Sequence, residues 1–119
     1  MKRLIFVLWF IMVAIVFAQS REFTTYEVTY FVDDQVKTVP ITLDMRLTDY
    51  DLTVIDPYNT SKWTFTDDMN YLLPDSYFAN ARDNKGTPCK VSFEEKSLSE
   101  TIITIRYETY RVKYKARNN

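Results

Sequence analysis

With histidine absent, carboxylates are the catalytic groups that remain in any number. Asp44, Asp49, Asp51 and Asp56 crowd one stretch, and Asp67-Asp68 follow closely. Such a set could supply the paired acid and base of a glycosidase or an oxygen-lined calcium site. The spacing matches no loop in which alternate oxygens converge on one ion. Asp is also common in β turns, where its side chain bonds back to the local backbone. Turn chemistry is therefore the expected role.

Other routes to catalysis are poorly supplied. Histidine is absent, which removes the usual general base, the imidazole metal ligand and the Ser-His or Cys-His pairs. No serine lies in a G-x-S-x-G context. One cysteine without histidine cannot assemble an ordinary zinc site, and Gly86, the single glycine, builds no phosphate-cradling loop. The expectation is a protein that is not an enzyme, with no catalytic residue, no cofactor and no metal. Cys89 is expected to be a small buried hydrophobe inside a strand. The alternative is a link to a second chain, since a lone thiol has no internal partner.

Binding is better provided for. Arg106, Arg111, Lys113, Lys115 and Arg117 form a basic stripe near the carboxy terminus, offset only by Glu108. On a hairpin they share one face, which could attract an anionic envelope polymer or an acidic protein surface. The competing reading is a solvated sheet face whose lysines discourage edge pairing. Tyr58, Trp63, Tyr71, Tyr77 and Phe78 are a second resource, because aromatics near loops serve as sugar platforms or protein hot spots. Trp63 alternates with Phe65 and so also reads as core. The residues retained as partner-binding candidates are Arg106, Arg111, Lys113, Lys115, Trp63 and Tyr58.

Strands must position these groups. From Thr101 to Lys115, Ile103, Ile105 and Tyr107 alternate, then Tyr110, Val112 and Tyr114, with a phase slip at Glu108-Thr109. A two-residue loop there pairs Tyr107 with Tyr110, Ile105 with Val112 and Ile103 with Tyr114. Earlier, Tyr26, Val28, Tyr30 and Val32 form a row opposite Thr25, Glu27 and Thr29, ending in a turn at Asp33-Asp34. The return run carries Val39, Ile41 and Leu43, with Pro40 marking an edge or bulge. Met45 and Leu47 then face Tyr50 and Leu52 across a tight hairpin, or a longer turn through Asp51. Asp56 to Asn59 is a turn, and residues 67–75 read as one helical turn or an irregular loop stopped by Pro74. Asp83-Asn84-Lys85-Gly86 is a hairpin loop whose glycine supplies a positive φ. Beyond it Cys89, Val91 and Phe93 alternate with Lys90, Ser92 and Glu94. About seven or eight short strands, with no crossover helix, predict a single all-β antiparallel sandwich or small closed barrel.

The amino terminus reads as a signal peptide over residues 1–18. Lys2 and Arg3 begin it, an uncharged apolar run follows from Leu4 to Ala18, and Val16-Phe17-Ala18 makes a cleavage site before Gln19. An uncleaved anchor is the competing reading, although the apolar run is short of the roughly 20 residues a spanning helix needs. Residues 19–119 are then one domain with 13 basic against 16 acidic side chains. That mild negative balance argues against nucleic-acid binding. The expected location is secreted or periplasmic, without stable membrane insertion once the leader is cut.

The order S-K-W-T-F at residues 61–65, Y-F-A-N-A-R-D-N-K-G at 77–86, P-C-K-V-S-F at 88–93 and T-I-I-T-I-R-Y at 101–107 resembles small exported hypothetical proteins of Bacteroides-type bacteria and their phages. The V-F-A-Q junction resembles them too. The resemblance implies export and a β fold; it carries over no activity and no functional residue. The expected function is a non-catalytic binding module contacting an envelope or extracellular protein or glycan. A small lipocalin-like carrier of an apolar ligand is the alternative, disfavoured because so small a barrel fills with its own side chains.

Overall fold

A computed structural model describes residues 21–56 and 58–119, so the leader assigned to residues 1–18 lies outside the described residues. Ten strands form among the described residues: β1 (Arg21–Val32), β2 (Gln35–Val39), β3 (Asp44–Leu47), β4 (Asp51–Ile55), β5 (Thr60–Phe65), β6 (Asn70–Leu73), β7 (Ser76–Arg82), β8 (Pro88–Glu95), β9 (Glu100–Arg106) and β10 (Tyr110–Asn118), and the expected run Val39, Ile41, Leu43 leaves the strand after Val39. Every pairing is antiparallel. Eight strands close in the order β1-β3-β4-β5-β7-β8-β9-β10, with β10 returning to β1. The fold is a barrel. Strands β2 and β6 are additions, each paired with one neighbour only.

Closure rests on β1. Its β10 side is paired from Phe23↔Asn118 to Val32↔Tyr110, while its other side meets β3 first and β2 later. A bulge between Thr25 and Glu27 separates the two halves. One extra residue there switches the inward parity from Phe23 and Thr25 to Val28. The expected row of Tyr26, Val28, Tyr30 and Val32 is corrected at Tyr26, which the bulge turns out of it; Val28, Tyr30 and Val32 keep one parity, with Val28 buried and exposure rising towards Val32. Buried Thr25 ties down the link that follows β2. Its Oγ1 donates to the Ile41 carbonyl at 2.7 Å and accepts from the Leu43 N–H at 2.8 Å. Strand β2 stops before Pro40, as a residue without an N–H requires.

The carboxy-terminal hairpin has the expected register, with Ile105 opposite Val112 and Ile103 opposite Tyr114. The β3–β4 hairpin takes the longer turn. Leu47 faces Leu52 and Met45 faces Val54, and the Thr48 side chain bonds to Asp51 to close the loop. Residues 67–75 are corrected from a helical turn or loop to strand β6 and a tight turn at Pro74-Asp75, with Leu73 opposite Ser76. Phe23, Met45, Leu52, Phe93, Ile103 and Ile105 fill the interior. An eight-stranded barrel is just wide enough to be packed this way.

Candidate functional site

One end of the barrel carries the β4–β5 turn, the β7–β8 loop and the β9–β10 turn. The first two are each held by an aspartate, and the third by the backbone bond from the Tyr107 N–H to the Tyr110 carbonyl. Asp56 accepts from the Tyr58 N–H at 2.9 Å. Asp83 Oδ1 accepts from the N–H groups of Lys85 and Thr87 at 3.0 and 2.9 Å, while Gly86 takes a φ of +80°. Asn84 acts as a short piece of strand. Backbone pairing between β5 and β7 covers only Thr64↔Arg82 and Phe65↔Ala81. Farther along that seam, the Lys62 N–H donates to Asn84 Oδ1 at 2.7 Å and Asn84 Nδ2 donates to the Thr60 carbonyl at 3.1 Å.

These connections enclose an open cleft of about 580 Å³, within the size range of small-ligand pockets. Its floor is a chain of polar groups. Trp63 Nε1 donates to the Tyr107 hydroxyl at 2.9 Å, and that hydroxyl donates to Asp83 Oδ2 at 2.9 Å. Tyr110 stacks on Tyr107 with ring centroids 4.6 Å apart and planes 16° from parallel. Asn59, Ser61, Thr87 and Thr109 add hydroxyl and amide groups to the lining, and Lys85 and Glu108 add one charge of each sign. Tyr58, in the same turn as Asn59, is almost fully exposed.

Burial works to raise the Asp83 carboxyl, but hydrogen bonds from the Thr87 N–H, the Tyr107 hydroxyl and the Lys85 N–H outweigh it and hold the group below its usual range. Burial pushes the Tyr107 hydroxyl far above the phenol range, with the Trp63 N–H opposing and Asp83 reinforcing the shift. One group therefore stays charged and the other stays protonated at neutral pH. Such a floor presents fixed hydrogen-bonding groups to the cleft.

The sequence candidates divide around this end. Trp63 is buried in the floor, and Tyr58 is exposed in the turn next to Asn59, outside the cleft lining. Arg106 and Arg111 pair across β9 and β10 on the outer wall, next in sequence to Tyr107 and Tyr110. Lys113 lies one row farther along. Lys115 is engaged by Glu27 at 3.0 Å. The aromatic candidates do not form one platform. Tyr77 lies at the opposite end, where its hydroxyl accepts from Arg21 at 2.6 Å and donates to Glu95 at 3.1 Å, and Phe78 sits under Lys90 on the wall. Sequence reasoning missed Tyr107, Tyr110, Asp83 and Asn84 as site residues. The first two read as core alternation and the last two as turn formers, and nothing local says that three connections meet.

Of the clustered carboxylates, Asp51 and Asp56 bond within their turns, Asp67 reaches a neighbouring strand, and Asp44 lies in β3. Asp51 accepts from Thr48, and Asp67 accepts from both the backbone and side-chain amides of Asn80 at 2.9 and 2.7 Å. Among the described residues, no group of three or more Cys, Asp or Glu side chains could hold a metal ion. Cys89 is buried, and its Sγ donates to the Ala81 carbonyl at 3.7 Å. Burial and the Asp83 charge push its thiol up to about 11, against an opposing hydrogen bond from Tyr107. Iodoacetamide at pH 8 is therefore expected to leave the folded chain unlabelled and to label it fully in urea; equal rates would show that the thiol is open. Because the folded pKa is raised, the associated stability is complete below the unfolded thiol value near ~8.5 and is lost as pH rises towards about 11.

Fold and site together define an eight-stranded antiparallel barrel with an aromatic and polar cleft at one mouth. No family model, curated protein or solved structure matches the chain.

Proposed function

We propose that this chain is an exported, non-catalytic binding module whose mouth cleft takes a polyhydroxylated ligand, a segment of glycan. The observation that carries the reading is the stacked Tyr107–Tyr110 pair set among hydroxyl and amide side chains. Sugar rings offer flat C–H faces to aromatic rings and hydroxyls to polar groups, so that combination suits both of their surfaces. Export is supported by the basic-then-apolar leader and by the resemblance over residues 61–107.

A glycan panel presented to the chain tests the reading. Retention of one or more neutral or acidic glycans is expected, with at least tenfold weaker retention for Tyr110→Ala and Tyr58→Ala. Binding that survives both changes, or a panel with no binder, would remove the cleft from consideration. The closed barrel also suits a lipocalin-like carrier. That role requires an apolar ligand to displace Phe23, Met45, Leu52 or Phe93 from a filled interior. Saturable uptake of a fatty acid, unaffected by Tyr110→Ala, would favour the carrier.

A further inference from the structure

The strand register lines up cations that are far apart in sequence. Lys90 on β8 lies opposite Arg106 on β9, and Arg106 lies opposite Arg111 on β10. Directly opposed side chains have Cβ atoms about 4.5–5.5 Å apart, so three positive charges cross three strands in one row. Lys113 extends the patch along β10, with Thr104 beside it on β9. Among the described residues, ion pairs form at Arg21, Arg46, Lys62, Lys96 and Lys115, and none forms at Lys90, Arg106, Arg111 or Lys113. The outer two cations lean away from the row onto aromatic faces. Lys90 Nζ lies 4.0 Å from the Phe78 ring centroid, and the Arg111 guanidinium lies 4.2 Å from that of Phe31. Arg106 is left between them.

We propose that this row extends the glycan cleft and binds the carboxylate or sulfate groups of an anionic polysaccharide. The inference rests on the glycan reading of the cleft and names the ligand's charge. Continuity carries it: Arg106 and Arg111 flank the turn whose Tyr107 and Tyr110 line the cleft, so a chain leaving the mouth passes onto the cations. The wall also departs from a protein interface. Its exposed groups are cationic, while Phe78 and Phe31 lie beneath cations instead of standing out as anchors. A flexible polyanion needs only charge and reach.

Heparin, polygalacturonate, neutral dextran and poly-glutamate titrated into the native chain at several salt concentrations provide the test. Two variants, Arg106→Gln and the pair Arg106→Gln with Arg111→Gln, avoid inserting a new charge. An unchanged or raised urea midpoint is expected for both, since like charges are removed. At least one of heparin and polygalacturonate should bind more tightly than dextran, and the stronger of them identifies sulfate or carboxylate as the preferred group. The double variant should weaken that binding about tenfold or more and flatten its salt dependence. Glycan binding that Tyr110→Ala weakens but salt and the wall variants leave unchanged would overturn this inference while the cleft reading stands. Poly-glutamate binding as tightly as the glycans would overturn it in favour of an acidic protein. Anionic glycan binding lost in the wall variants but indifferent to Tyr110→Ala would instead sink the cleft reading, and with it the proposed continuity.

Discussion

Replacing Phe93 with Ala is expected to cost the barrel about 3–5 kcal/mol, a large share of a small domain's total stability. Phe93 is 1% exposed, pairs with Tyr77 on one side and Ile103 on the other, and stacks on the Tyr77 ring at 5.0 Å. Closed strands limit how far the walls can collapse into the space left behind, so the cavity cost adds to the lost burial. The urea midpoint should fall sharply with an unchanged slope. Phe31→Ala, on the outer face over which Arg111 lies, serves as the comparison and should lose far less. Equal losses at the two positions would mean that Phe93 does not occupy the interior.

Thr25→Val should be the most damaging change of a polar residue. The two side chains have nearly the same shape, so packing is kept and only the hydroxyl is lost. That hydroxyl serves the Ile41 carbonyl and the Leu43 N–H together. Leaving a buried backbone group without a partner costs about 1–3 kcal/mol. Both stranded groups lie in the link between β2 and β3, so the amides of residues 41–45 should also exchange faster than those of β9. Thr25→Ser restores the hydroxyl and should recover most of the loss. Full stability in Thr25→Val would mean that the link is held by other contacts.

The charge arrangement shows how the two levels of information combine. Arg106 and Arg111 are recognisable as a like-charge pair because they flank a two-residue turn. Lys90 joins them only when β8 docks beside β9, a pairing between segments separated by a polar loop. Lys115 belongs to the same stripe by spacing, yet β1 brings Glu27 beside it and takes it out of the free set. The cleft depends even more on long-range pairing. Trp63, Asp83 and Tyr107 come from three strands or loops, and none of them marks itself as a neighbour of the others.

Alternation and turn chemistry by themselves determined that the chain is all-β, that β7–β8 and β9–β10 are hairpins, and that Gly86 adopts a left-handed turn. These are local properties: side-chain direction has a period of two, and a positive φ suits glycine. Local information ran out where one residue more or less reverses a face. The bulge at Tyr26 sends Thr25 inward and leaves no mark on the pattern of apolar residues, whereas the β3–β4 register, with Leu47 opposite Leu52 instead of Tyr50, moves each partner by two and keeps every face. Exposed Tyr71, Leu72 and Leu73 make a strand only because the β7 edge beyond β5 is open to pair with them. Closure itself was decided by β1 pairing with β10. Joining the first strand to the last is a contact across the whole chain, and only the packed interior makes that register better than its neighbours.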